Sequence, residues 1–318
     1  MGIVITAAGT AAPTACGAPA STVDLAARAA RDCLARAQLS PSAVGILVNV
    51  GVYRESNTFE PALAALVQKR IGINLDYIAD PEPAAGFSFD LMNGACGVLN
   101  AVQAGQALLE TGSTERLLIT AADVHPGGDA RRDPHYPYAD LAGALLLERS
   151  PDPDAGFGPV RHYSGNGPSD THGYLDTATM GREGRTTVTV RRSPGHAARR
   201  AELAATAVAD YAARYGLDLE RTCVIGPQAG ADVVTGAPVP GAGPDRAAAA
   251  GTDAGAAAGT DAGAAAAADA GEPHTAAPVL GYLRALAAPQ PRRHDQLLFV
   301  TAGAGPTAAC VSYRPEAW

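Results

Sequence analysis

One cysteine in this chain has the neighbours and the placement that covalent chemistry needs. Cys96 lies in FSFDLMNGACGVLNAVQAGQALLETG, residues 87–112. FSFDL reads as a short strand, and CGVLNAVQAGQALLETG reads as a helix closed by glycine, so the thiol falls at a helix N-terminus. Unpaired backbone N–H groups and the positive end of the helix dipole stabilise a thiolate there and predict a lowered pKa. A thiolate of that kind needs no separate base for its own acylation. Gly94 and Ala95 before it and Gly97 after it allow a tight strand-to-helix turn and close approach of a substrate, an elbow suited to a covalent thioester intermediate. Cys16, Cys33, Cys223 and Cys310 read as structural, since they fall in a loop, on an apolar helix face or in strands.

Histidines are the candidate bases. His274, in PHTAAPVLGYLRAL, precedes a helix and can donate a hydrogen bond or accept a proton at neutral pH. His125 and His135 flank the loop VHPGGDARRDPHYPY, where His135 reads as solvated. His162 and His172, in RHYSGNGPSDTHGYL, have the option of lining a substrate tunnel, though nothing in their spacing demands it. Arg54 and Glu55, in YRESNTFEP, read as a surface or interface pair.

The elements that must position these groups alternate. GIVITAAG reads as a buried strand, and residues 22–39 as a helix with Thr22 as N-cap. VGILVNVGV (44–52), RLLITAADVH (116–125) and AGALLLER (142–149) are apolar strands, and residues 60–72 form a helix ending at Gly72. In the second half, residues 196–217 form a long amphipathic helix and RTCVIGPQAG a strand running into a loop. Residues 275–288 form a helix, and QLLFVTAGAGPTAACVSYR (296–314) two strands about a glycine turn. Continuous apolar strands alternating with helices indicate a layered α/β architecture. Residues 236–272 differ: they contain GTDAGAAA twice in tandem and, apart from Val239, no large apolar residue. Such a stretch buries too little surface to offset its ordering entropy and reads as a flexible linker.

Composition narrows the function classes. The chain has 318 residues and a net charge of −8, which argues against a polyanion-binding surface and so against nucleic acid. Apolar content is 47% with aromatics at 5%, so alanine and glycine must supply much of the core; Lys69 is the only lysine. Five cysteines without CxxC spacing resemble neither a disulfide framework nor a zinc site. No segment approaches the ~20 apolar residues of a membrane span, and MGIVITAAGTAAP lacks the features of a secretory signal. A reducing cytoplasm is the expected compartment. AGAGPT and ADLAG lack the spacing of a nucleotide-binding loop.

FDLMNGACGVLNAVQAGQALLETG resembles the active-site cysteine segment of thiolase-fold condensing enzymes, specifically beta-ketoacyl-ACP synthase III and its relatives. Other segments follow in the family's order. LSPSAVGILVNVGVY resembles the strand before the first family loop, and YADLAGALLLE stands where the family has GDGAGA. CVIGPQAG stands where it has PHQAN, and PHTAAPVLGYLRAL where it has GNTSAAS; LLFVTAGAGPTAACVSY resembles its closing glycine-rich hairpin. The resemblance implies a five-layered α-β-α-β-α sandwich of two similar halves, here 1–160 and 161–318 with the linker at 236–272 interrupting the second. It also implies a homodimer, with a heterodimer as the other possibility, thioesters of acyl carrier protein or coenzyme A as substrates, and no cofactor or metal. By position, Cys96 is the nucleophile, and the N–H groups of Cys96 and Ala304 form the oxyanion hole.

The family's histidine and asparagine, which assist a decarboxylating malonyl-carrier nucleophile, fall on Pro227 and His274. Proline supplies neither donor nor base. Acyl transfer to an oxygen, nitrogen or sulfur acceptor needs thiolate, oxyanion hole and one base, so the resemblance implies a ketosynthase III-like acyltransferase, in natural-product (polyketide or fatty-acid-related) biosynthesis. The alternatives are decarboxylative condensation with His274 working alone, and a non-catalytic subunit partnering an active paralogue. Between Pro13 and Thr22 the chain lacks the roughly thirty residues that hold coenzyme A in the family, and its one tryptophan is Trp318, which favours acyl carrier protein as donor.

Overall fold

The computed structural model describes residues 2–14, 20–56, 60–74, 86–127, 133–175, 177–178, 188–226, 234–235, 271–288 and 294–316. The first sheet runs in the order β1 (Ile3–Ala11), β5 (Leu141–Arg149), β4 (Arg116–Asp123), β2 (Ile46–Asn49), β3 (Phe87–Asp90). β2 is parallel to both β3 and β4, while β5 is antiparallel to β1 and β4. The second sheet runs β11 (Val234–Thr235), β10 (Thr222–Ile225), β12 (Gln296–Ala302), β13 (Thr307–Arg314), β6 (Gly156–Phe157), with β7 (Arg161–Ser164) also on β13. β8 (Thr171–Tyr174) and β9 (Thr189–Arg192) form a separate antiparallel pair. The sequence reading had no strands over 156–192, because RHYS, THGY and TVRR lack the apolar runs that mark the others.

Alternation along each strand sorts its side chains into layers. In β4, Leu117, Ile119 and Ala121 face the core between the sheets, while Leu118 and Ala122 face the outer helices. In β12, Leu297 and Phe299 face that same inner core, and Leu298, Val300 and Ala302 face outward. Helices α1 (Thr22–Arg36) and α2 (Leu63–Ile71) cover the outer face of the first sheet. Helices α3 (Gly97–Glu110) and α5 (Ala277–Ala287) fill the space between the sheets, and α4 (His196–Tyr215) covers the second sheet from outside. The result is the expected five layers, α-β-α-β-α.

The helix ends follow local chemistry. Ser21 rather than Thr22 caps α1, its Oγ accepting from the Asp24 N–H, and Thr22 is the first helical residue. Glu55 accepts from the N–H (3.0 Å) and the Oγ1 (2.9 Å) of Thr22, so it anchors this helix start rather than forming a surface pair. Asp90 does the same for α2, accepting from the Leu63 and Ala64 N–H groups at 2.9 Å each. α2 and α4 both stop at glycines in the left-handed conformation, Gly72 and Gly216. At Gly143 in β5, a Cβ would lie 2.7 Å from the Cβ of Val279 in α5, so only glycine lets helix and strand pack this closely.

Candidate active site

Cys96 and His274 enter the site from equivalent devices. Each lies in a single 3₁₀ turn, Gly94–Cys96 and His274–Ala276, that leads directly into one of the two inner helices, and the two turns pack together. The expected helix start at Cys96 is therefore displaced by one residue, with Cys96 as N-cap of α3. Gly94 has φ +50°, and a Cβ there would lie 3.5 Å from His274 Nε2. On the other side, a Cβ on Gly303, in the turn after β12, would lie 3.6 Å from Cys96 Sγ. Glycines on both flanks keep the thiol and the imidazole edge unobstructed by side chains. Cys96 is 1% exposed, and its sulfur lies 3.9 Å from the Thr307 carbonyl.

His274 is fixed by a group that sequence reasoning missed. Asp123, at the C-terminal end of β4, accepts from His274 Nδ1 at 2.9 Å through Oδ2, which also accepts from the N–H and Oγ1 of Thr275. Its Oδ1 accepts from the N–H groups of Val52 and Tyr53 at 2.9 and 2.8 Å. Burial opposes ionisation of Asp123, but the imidazole beside it and these donors outweigh burial and hold its carboxyl below the usual range. An ionised carboxylate only accepts, so Nδ1 carries the proton and Nε2, facing the Cys96 turn, presents a lone pair when the ring is neutral. Tyr138 stacks on the imidazole with ring centroids 3.9 Å apart, and Tyr53 lies 5.5 Å away. His274 itself holds φ +36°, a left-handed conformation unusual for a non-glycine residue and of the kind that concentrates at functional sites.

The thiol departs from the expectation of a lowered pKa. Burial raises it, and contacts from Thr301, Thr307, Arg200 and the Gly303 backbone offset this only in part. In the closed site, desolvation outweighs the helix end, and a base is needed to form the thiolate. The expected oxyanion donor at Cys96 is also engaged: its N–H donates to the Asn93 carbonyl at 3.1 Å. Ala304 stands beside Gly303, and its carbonyl accepts from the Asp170 N–H at 2.7 Å and from Ser169 Oγ at 3.1 Å, which ties the glycine turn to the 165–171 loop. Pro227 lies outside the described residues; Gly226 before it lines the cleft that also holds Ala95 and His274.

The remaining histidines do not join the thiol. His125 is buried, its N–H donating to Asp140 Oδ1 and its Nε2 accepting from the Asp133 N–H at 2.7 Å, so it braces its loop. His135, His162 and His172 are exposed; His162 Nε2 meets Gln103 Oε1 at 2.9 Å on the surface of α3. Cys33, Cys223 and Cys310 are buried and free, and Cys16 lies outside the described residues. Glu272, which the sequence assigned to the linker, is buried. Its N–H donates to the Pro137 carbonyl (3.1 Å) and its carbonyl accepts from the Ala139 N–H (2.9 Å), while its carboxylate pairs with Arg192 and Arg200. No helix among the described residues is long and apolar enough to cross a membrane.

No family model matches the chain. It is 33% identical over 130 residues to the beta-ketoacyl-[acyl-carrier-protein] synthase III of Cereibacter sphaeroides, a match covering 40% of this chain and 36% of that relative. The match to curated relatives thus spans just over a third of their length. The structure superposes along almost the whole chain on 3-oxoacyl-(acyl carrier protein) synthase III from Pseudomonas aeruginosa, with TM-score 0.70 and 17% identity over 99% of this chain and 98% of that one. The chain is similar to beta-ketoacyl-ACP synthase III. Its fold is the thiolase-like one, shared also with a tetronic acid condensing enzyme at TM-score 0.68 and 18% identity, over 98% of this chain and 99% of that one. Against that background, the departure lies in the polar groups: imidazole and carboxylate are paired here, with the imidazole at the position that the resemblance gives to asparagine.

Proposed function

We propose that this synthase III-like chain is an acyltransferase that carries an acyl group on Cys96 and passes it to an oxygen, nitrogen or sulfur acceptor. The observation that carries the reading is the buried Asp123–His274 pair, with Nε2 facing the Cys96 turn. A base oriented by a carboxylate and set beside a thiol is the arrangement that activates a nucleophile. Nε2 takes the Cys96 proton as the sulfur attacks the thioester carbonyl. The carbonyl–sulfur bond to the donor breaks, and the donor leaves as a thiol with that proton. In the second half-reaction Nε2 takes the proton of the acceptor X–H, X attacks the acyl-cysteine carbonyl, and the Cys96–acyl bond breaks and returns the thiol. Because burial raises the thiol, both half-reactions draw on His274. The N–H of Ala304 is the proposed oxyanion donor, with that of Cys96 joining it on release from Asn93.

An acyl carrier protein is the proposed donor partner, and a homodimer the proposed assembly. β3 is an edge strand with Phe87 and Met92 about half exposed near its two ends, a face suited to a second copy. Natural-product assembly is the proposed setting. The test is intact-protein mass after incubation with acyl-carrier and acyl-coenzyme A thioesters, with carbon dioxide release followed on malonyl thioesters. The expected result is an acyl adduct that is lost in Cys96→Ala, with little decarboxylation, since losing one transition-state donor at Pro227 lowers rate by about 10²-fold or more. Robust decarboxylative product formation by the unmodified protein refutes transfer in favour of condensation.

A further inference from the structure

A partly buried arginine and a buried threonine, both lining the cleft beside Ala95, have no role in the scheme above. Arg200 stands on α4 one turn before Ala204, on the face continued by Ala207, Val208 and Tyr211, all buried. A guanidinium on an apolar helix face must be compensated. Its Nη2 meets Glu272 Oε1 at 2.7 Å and its Nε donates to the Ala302 carbonyl at 3.1 Å. Glu272 is shared with Arg192, so two cations meet one carboxylate there. Ala302 directly precedes Gly303, the residue that abuts the sulfur. Thr301, one residue earlier, is 4% exposed, and its Oγ1 has no hydrogen-bond partner among the described residues. A buried hydroxyl without a conventional partner needs an acceptor, and the Cys96 sulfur, on which Thr301 acts, is the one at hand. Thr301, Arg200 and His274 line one small cleft beside Ala95, and the cleft is bounded by Gly226, the neighbour of Pro227.

We propose that Arg200 and the Thr301 hydroxyl stabilise the anion formed at Cys96. The inference rests on Cys96 being the nucleophile of the reading above. The electrostatics run in the same direction: burial drives the thiol up, and Thr301, Thr307 and Arg200 pull it back. The groups around the sulfur come from every neighbouring element: Arg200 from α4, Thr301 from β12, Thr307 and Cys310 from β13, and His274, backed by Asp123, from the turn before α5. Glu272 and Arg192 lie one contact further out. Of the groups that act on the sulfur, Arg200 is the permanent cation.

The test is the pH dependence of Cys96 alkylation by iodoacetamide in the full chain, read by peptide mass mapping from about pH 6 to about pH 10.5. Removing a cation or a donor from the thiolate raises the thiol pKa. Arg200→Gln is expected to move the inflection up by about one pH unit, roughly tenfold less thiolate at a given pH below it. Arg200→Lys returns part of that shift, and the near-isosteric Thr301→Val moves the inflection the same way by a smaller step. The plateau rate at high pH stays unchanged, whereas a merely loosened structure alters the plateau and leaves the inflection in place. Circular dichroism reports folding, and Thr301→Val decides alone if Arg200→Gln does not fold. An unchanged inflection in folded Arg200→Gln, or in Thr301→Val, overturns the proposal. Alkylation needs no acyl donor, so an unchanged inflection with intact acyl transfer sinks this inference alone, and a shifted one without acyl-enzyme sinks the transfer reading alone.

Discussion

Asp123→Asn tests the dyad with almost no change of shape. Oδ1 of Asp123 faces two backbone N–H groups, and Oδ2 faces His274 Nδ1 together with the N–H and hydroxyl of Thr275. An amide has one acceptor oxygen. If that oxygen keeps Val52 and Tyr53, the NH₂ confronts His274 Nδ1, and the ring answers by moving its proton to Nε2. The nitrogen facing Cys96 is then a donor and cannot accept the thiol proton. A tautomer reversal of this kind lowers turnover by on the order of 10³–10⁴-fold. Stability falls as well, because the donors on the amide side lose a charged acceptor in a buried site, at a cost of about 3 kcal/mol or somewhat more. For a chain of this size that lowers Tm by roughly 5 °C. The assay follows Cys96 acylation by intact mass under single-turnover conditions, with thermal unfolding measured in parallel. A folded Asp123→Asn protein that acylates within fivefold of the unmodified rate refutes the base role of His274.

Two further outcomes bear on the scaffold. Gly143→Ala drives a Cβ to 2.7 Å from that of Val279, and the overpacking is expected to destabilise by about 2 kcal/mol; an unchanged melting temperature in thermal unfolding shows that α5 has room to retreat. Deleting residues 247–270, which lie outside the described residues, is expected to shift Tm by less than about 2 °C because the segment carries no large apolar side chain. A loss of several degrees, or a changed oligomeric state by light scattering, shows that it packs.

The layers were legible because their signals are local. Apolar runs such as RLLITAAD and LLFVTA marked the inner strands, and a glycine marked the end of α2. Cys96 was legible from its small neighbours. The groups proposed to serve it were not, because each is placed by a contact distant in sequence: Asp123 meets His274 across 151 residues, and Arg200 meets Glu272 across 72. Both nevertheless leave a trace as charges in the wrong place. Asp123 ends a mostly apolar strand, and Arg200 falls on the buried face of α4. The thiol pKa was misjudged for a related reason. A helix end can be read from sequence, but the depth at which it is buried cannot.

The clasp at Glu272 carries a consequence for how this chain can vary. Two backbone hydrogen bonds to the 137–139 segment and two arginines hold Glu272, the last residue of the repeat-bearing stretch, and His274 comes two residues later. Tandem copies of GTDAGAAA are the kind of sequence that gains and loses units by slippage during replication. Any length change upstream ends at the same fixed knot before it reaches the imidazole. Natural variants of this chain that differ in repeat number are therefore expected to share one active site, and the count of repeats is free to drift under no selection from the chemistry.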